Sequence, residues 1–481
     1  METSFIDLHC HPAMKPLGKS FNQEKTRGKN GTKANDEYSI WNYDPPTLAD
    51  KVTNIATSLT KFRQSDFTSL LKGGADIIFV SLKGLEKGFV MTKLGTGLVG
   101  DLVDNLIIGN GKKRIDYIQA MDEYFPDLEL EYNFYKQLDG KIQKINGQEC
   151  MYRIISSMDE IDEEPDPKLK VIYLILTIEG AHVFNSGLQM MGKTANEEEI
   201  LKNLDKVKKW DKKLFFMGMA HHFYNEQCGH AESLSKLVGV ACDQKEGINT
   251  GFTPIGMKVL KKLLDDSGNG RVLIDLKHMS VQARKEYYNL LDTEYTSEII
   301  PLIVSHGTVN GLKSPDEMRI ENQNTRGRFQ EKDINFFDDE IIRIARSRGL
   351  FAIQLDERRL ASKSELKKTK RKISRTKMLF HKSKLVWNQI QHIAEVLNNN
   401  GEYAWEIQSL GSDHDGMVNP LNGFWTSEDI GLLASYLEKH AFNYLNSNES
   451  AELKNYNKIS AGDIVERFLH DNAYEFLQRH F

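Results

Sequence analysis

The chain has 481 residues, 40% of them hydrophobic, and a formal net charge of -5. That length allows one large domain or two to three small ones, and so mild an acidity gives no reason to expect nucleic acid as a partner. No apolar stretch reaches the roughly 18 residues of a membrane span, and Cys10, Cys150, Cys228 and Cys242 form neither a CxxC pair nor a disulfide framework.

The first element is a short apolar strand, Phe5-Ile6-Asp7-Leu8, which runs into His9-Cys10-His11-Pro12. Histidines spaced i, i+2 on a strand share one face. Such a pair suits a zinc-type ion, or it is simply two polar residues facing solvent at a strand end. The remaining chain must decide, by supplying further ligands or not. Cys10 points the other way and reads as a packing residue.

Residues 13–46 are polar and contain Pro45-Pro46, which predicts a long loop near the mouth of the site. Residues 47–72 are helical in pattern, and 75–82 form a second apolar strand. Gly95-Thr96-Gly97-Leu98-Val99-Gly100 matches GxGxxG, but without a clear strand-to-helix context it reads as a Gly-rich insertion rather than a nucleotide loop. Residues 116–145 read as helix with a solvated acidic face, and 157–170 as a surface loop.

Four later strands each end in a metal-ligating side chain. Val171 to Ile178 runs into Glu179-Gly180-Ala181-His182, Val272 to Lys277 into His278, Pro301 to Ser305 into His306, and Trp405 to Ser412 into Asp413. Between them, a charged amphipathic helix over 196–213 precedes a strand over 214–220 that stops at His221-His222, of which one must face away. Thr253-Pro254 reads as an N-cap and first-turn pair, and Ser280 as the cap of the helix after His278. Gly349 fits the C′ position of a helix over 338–348. The Lys/Arg-rich stretch 363–384 reads as a solvated helical insertion, because it lacks the interleaved aromatics of a nucleic-acid platform. An amphipathic helix over 384–397 follows, then two more around 427–445 and 460–479. Strands thus begin near residues 5, 75, 171, 214, 272, 301, 350 and 405. Strands ending in ligands and alternating with helices are what a closed (β/α)8 TIM barrel with a metal at its carboxyl end requires.

In this order the endings resemble the motifs of the membrane dipeptidase (renal dipeptidase, peptidase M19) family of the amidohydrolase superfamily. His9-Cys10-His11 stands where the family has HxD, Glu179-Gly180-Ala181-His182 looks like its EGxH, and Met219-Ala220-His221 like its LTH. Asp275-Leu276-Lys277-His278-Met279-Ser280 is close to its DLxHxS, Ser305-His306-Gly307 to its SHS, and Gly411-Ser412-Asp413-His414-Asp415-Gly416 to its GSDFDG. The resemblance spans most of the chain.

It implies a single metal-dependent hydrolase barrel over 1–481, with 83–150 and 359–384 as insertions. It also implies two divalent metal ions, zinc being the expected metal. One would take His9, His11 and Glu179; the other would take Glu179, His278 and His306, with Glu179 as the bridge. A metal-bridging hydroxide would attack a dipeptide amide. Asp413 would receive its proton and deliver it to the leaving amine, and His221 would stabilise the oxyanion. Glu179, His278 and His306 each end an apolar strand, where an unpaired polar group is costly, which favours the ligand role. His182 and Asp415 are expected to be supporting residues.

Two departures stand out. The first motif is HxH, and the arginine that the family places after SHS to bind the substrate carboxylate is missing. Asn335-Phe336-Phe337-Asp338-Asp339 is similar to the stretch that follows that arginine, but Ile334 precedes it, and Arg326 and Arg328 lie in an insertion. The expected partner is therefore a small molecule, a dipeptide or related amide, with no nucleic acid and no membrane. A non-peptide amide, a lactone or an ester is the alternative substrate, and a non-catalytic binding barrel is a second alternative. The first strand begins at once, without a signal pattern, and Glu475 to Phe481 lacks the tail of a lipid-anchor signal, so a cytoplasmic location is expected and a homodimer stays open.

Overall fold

The computed structural model describes residues 4–57, 60–91, 111–162, 166–234, 242–268, 270–316, 328–369, 374–416 and 419–481. Its strands are β1 (Phe5–Cys10), β2 (Ala75–Leu82), β3 (Gln143–Ile145), β4 (Gln148–Ile154), β5 (Leu169–Glu179), β6 (Leu214–Gly218), β7 (Leu273–Asp275), β8 (Ile303–Gly307), β9 (Leu350–Ile353) and β10 (Gln408–Leu410). Eight of them close into a barrel in the order β1, β2, β5, β6, β7, β8, β9, β10 and back to β1, every neighbouring pair parallel. This is the TIM barrel expected from the sequence, and its eight strands are the eight predicted. Helices cover the outside, so both faces of each strand are buried and the strands read as near-continuous apolar runs. β1 and β8 are buried at every residue. Among the described residues no helix is long and apolar enough to cross a membrane.

Several boundaries differ from the sequence reading. Residues 116–145 are not one helix: helices span Lys112–Ala120 and Phe125–Lys136, and β3 and β4 then form an antiparallel hairpin. Its turn is Asn146-Gly147, both with positive φ (51° and 87°), the conformation a two-residue hairpin turn needs. Asn-Gly was a readable signal. β4 pairs with the first half of β5 and β6 with the second half, so the hairpin extends the sheet below the barrel. The predicted loop over 13–46 contains a helix at Met14–Ser20, and the predicted helix over 384–397 begins earlier and runs Arg375–Asn399. β10 starts three residues after the predicted Trp405; before it, Asn457 takes the Ala404 amide on its side-chain oxygen and the Trp405 indole on its carbonyl.

The predicted caps hold at Thr253 and Ser280, whose hydroxyls accept from Gly256 N and Ala283 N. Gly349 is not the left-handed residue after its helix. Arg348 is, at φ 55°, and the Arg348 and Gly349 amides donate back to Ala345 and Ile344 in a Schellman pattern. Gly349 is needed for another reason: a Cβ there would lie 2.0 Å from the Leu302 carbonyl oxygen.

The segment between β2 and β5 has a small core of its own, built from Leu85, Val90, Ile115, Ile118 and Tyr124, with Leu188. Beside it the Arg114 guanidinium grips Asp127 through two bonds of 2.5 and 2.8 Å, with Asp127 fully buried. Removing one partner of such a pair leaves an uncompensated buried charge. Arg114→Ala is expected to lower unfolding free energy by about 3–5 kcal/mol, read from the midpoint of a urea titration at unchanged m-value. A loss under about 1 kcal/mol would mean that water reaches the pair.

Candidate metal centre

The strand ends converge at the carboxyl end of the barrel. β1 carries His9, and His11 lies just beyond it. The His11 amide donates to the His414 carbonyl and the Asp413 amide to the His9 carbonyl, so the first and last motifs are laced together across the closing seam. β5 ends on Glu179, while His221, His278 and Asp413 sit on the loops that follow β6, β7 and β10. His306 lies inside β8.

Glu179 is the centre of the group and is 4% exposed. Its Oε1 lies 3.5 Å from His9 Nε2, 3.2 Å from His278 Nε2 and 3.5 Å from His306 Nε2. Its Oε2 lies 3.2 Å from His11 Nε2 and 3.4 Å from His221 Nε2. The imidazoles form two close pairs, His9 Nε2 with His11 Nε2 at 3.1 Å and His278 Nε2 with His306 Nε2 at 3.3 Å. Two ligands at roughly 2.0–2.1 Å from one tetrahedral ion stand about 3.3 Å apart. The donor spacing therefore fits divalent metal binding. His9, His11 and Glu179 form one group whose ligand atoms could hold an ion, and Glu179, His278 and His306 form another. His9, His306 and Asp413 make a third compatible group, so Asp413 stands within reach of the donors as well.

Neighbouring groups fix which ring nitrogen is bare. His11 Nδ1 is 2.8 Å from the Ser81 carbonyl, which can only accept, so Nδ1 carries the proton and Nε2 faces Glu179 with its lone pair. Ser305 Oγ donates to Asp275 Oδ2 (2.6 Å) and is 2.8 Å from His306 Nδ1, from which it accepts. That again leaves Nε2 bare. Asp7 repeats the Asp275 arrangement across the barrel seam, accepting from Ser412 N (2.8 Å) and Ser412 Oγ (2.5 Å). Both buried aspartates thus tie two strand ends together just before a ligand. Glu86 Oε2 lies 2.5 Å from His221 Nδ1 and also accepts from the His222 amide, which turns His221 Nε2 toward Glu179. His278 (φ 66°) and Asp413 (φ 60°) hold left-handed backbone conformations, strain that clusters where side chains must be aimed.

Burial sets the protonation. It pulls His11 and His278 down to about 3, and His306 well below its ordinary value, so these three are neutral donors. Burial also lowers His9, but the Glu179 charge and hydrogen bond outweigh it and leave His9 raised. Burial would raise Glu179, yet His221 and His9, with bonds from His11 and His278, hold it well below the usual carboxylate range. Burial lifts Asp413 to about 7 against the pull of His9. Glu86, despite burial, is held down at about 2 by His221.

The structure brings His9, His11, Glu179, His221, His278, His306 and Asp413 into one group. His222 does not face away. It lines the cleft beside His221, with Nδ1 2.6 Å from Ser233 Oγ, because the chain turns off the strand at that point. His182 Nε2 meets the Lys83 and Gly84 carbonyls, and Asp415 is anchored by Lys15 and Ser65, so both are supports. Arg328 is turned toward Asn388 and does not line the cleft; Arg326 and the Gly95–Gly100 stretch lie outside the described residues. The cations that do line the cleft are Lys83, Lys277, Arg358 and Arg359. Sequence reading missed all four, and Glu86. Lys277, next to His278 in a ligand motif, was the one with a signal.

No family model matches this sequence, and no curated protein matches it. Solved structures match the fold. A metallo peptidase from Rhodobacter sphaeroides, liganded with a phosphinate mimic of the dipeptide L-Ala-D-Ala, aligns over 100% of both chains at 12% identity and a TM-score of 0.51. Dipeptidase AC, a metallo peptidase of family M19, aligns over 100% of this chain and 99% of its own at 12% identity and a TM-score of 0.48. The probable dipeptidase PvdM from Pseudomonas aeruginosa aligns over 87% and 90% at 13% identity and a TM-score of 0.49. The likeness to the first establishes a shared fold.

Proposed function

We propose that this chain is a metal-dependent hydrolase that cleaves the amide bond of dipeptides, with zinc as the working metal. One observation carries the reading: a buried carboxylate, Glu179, ringed by five imidazole Nε2 atoms at 3.2–3.5 Å. A structural carboxylate would be satisfied by one or two donors. Five converging nitrogens, several of them neutral, are a donor set that wants cations. The phosphinate dipeptide mimic on the fold relative from Rhodobacter sphaeroides supports the choice of substrate class.

Divalent cations held there by His9, His11, Glu179, His278 and His306 would supply Lewis acidity and lower the pKa of the attacking water. The protein's own groups do the rest. Asp413, held at about 7, takes the proton of the attacking water and passes it to the leaving amine. His221, fixed by Glu86, faces the same cleft and is placed to stabilise the oxyanion. The second reading, hydrolysis of a non-peptide amide, lactone or ester, is favoured by Arg328, which is turned to Asn388 rather than into the cleft.

Zinc-loaded protein is expected to release free amino acids from members of a dipeptide panel, and a chelator to abolish the release. No release from a sample holding two ions per chain would move the substrate to the second reading. No release and no bound metal would remove the ligand assignment itself.

A further inference from the structure

Lys277 is an anomaly in the cleft. It is 2% exposed, and its Nζ has no hydrogen-bond partner among the described residues. Nor does any described carboxylate stand within ion-pair distance of it; the salt bridges of the cleft belong to the histidines and to Arg358. A buried amino group with no partner is costly in either protonation state, and an anion beside it would supply the missing acceptor.

Its neighbour makes the cost larger. Arg359 lines the same cleft and acts on Lys277 as a like charge. Arg358 is already engaged, with Nε and Nη2 on Asp356 at 2.6–3.3 Å. Arg359 instead gives Nη2 to the Ser233 carbonyl and, among the described residues, forms no ion pair. Glu179 and Asp413 are directed at the imidazoles. Lys277, just after β7, and Arg359, on the short helix Glu357–Leu360, thus line one cavity with the candidate metal centre, and neither has an ion-pair partner among the described residues. An anion between them relieves the repulsion, and a doubly negative group matches both charges where a single carboxylate leaves one.

We propose that Lys277 and Arg359 form an anion subsite beside the metal centre, and that the substrate carries a doubly negative oxyanion group next to the bond that is cut. A phosphoryl group supplies that chemistry, and so does a pair of carboxylates, as in a dipeptide with an acidic C-terminal residue. The word substrate rests on the hydrolase reading above; the binding of the anion does not.

The test separates the two. Inorganic phosphate is titrated calorimetrically into chelator-treated full-length protein, wild type and the variants Lys277→Met, Arg359→Gln and Arg359→Lys, each checked for fold by circular dichroism. Wild type is expected to bind phosphate, each charge-removing variant to bind at least tenfold more weakly, and Arg359→Lys to recover part of the loss. Equal binding by wild type and the charge-removing variants, or no binding by wild type, overturns the subsite. A variant that does not fold leaves the decision to the other position. In the zinc-loaded protein, kcat/KM is compared for a neutral dipeptide, one ending in aspartate and one carrying phosphoserine. A preference of tenfold or more for a dianionic substrate, lost in Lys277→Met, supports the proposal, and its rank order identifies the phosphoryl or the dicarboxylate source. Turnover without charge preference overturns the substrate class and leaves the hydrolase reading intact. Charge-dependent phosphate binding without turnover of any dipeptide supports the subsite and counts against the hydrolase reading.

Discussion

Glu179→Gln is expected to abolish turnover and to lower metal content from two ions per chain toward none, while the circular dichroism spectrum stays native. The amide keeps the size of the carboxylate but loses its charge and one acceptor oxygen. Both donor sets use this side chain, so neither is complete without it. Replacing a residue that only supports a ligand costs about 10–100-fold in metal affinity or activity. A carboxylate shared by both sets is expected to exceed that range. Metal content by atomic emission and a dipeptide assay check it together. Full metal content with full activity would place the chemistry elsewhere. Lost metal with retained fold would separate an enzyme from a binding barrel only when read beside the activity, which is why both are measured.

Asp413→Asn is expected to act differently. A general base that moves a proton in the transition state is worth about 10²–10⁴ in rate. The variant should therefore lose that factor in kcat with a nearly unchanged KM and keep two ions. Asp413 also shares a compatible donor group with His9 and His306. If it is a ligand instead, the variant will lose one ion as well as rate. Measuring metal stoichiometry alongside kcat distinguishes base from ligand in one preparation.

Much of this site is legible in the chain because its ligands stand in a local pattern. β1, β5 and β8 are apolar runs bounded by turn residues, and each brings a histidine or glutamate to its carboxyl end. Strand period alone puts His9 and His11 on one face. The helix caps at Thr253 and Ser280 are equally local, since a hydroxyl and an amide three residues on decide them. The misreadings share a cause too. At residue 349 a glycine after a helix suggested the usual left-handed cap, yet what requires it is the carbonyl of Leu302, a residue distant in sequence. The expectation that one of His221 and His222 must face away fails because the chain has already left the strand at Gly218.

The sequence by itself determined the barrel and the histidines, glutamate and aspartate that end its strands, because strand burial, caps and ligand endings depend on neighbours within a few residues. Only the tertiary structure decided that Glu179 is the common centre, that Glu86 and Ser305 set the imidazole tautomers, and that Lys277 and Arg359 line one cleft. Those relations span separate strands and loops. They exist only after the seam between residues 9 and 413 has closed, and no periodicity along the chain encodes a distance across it.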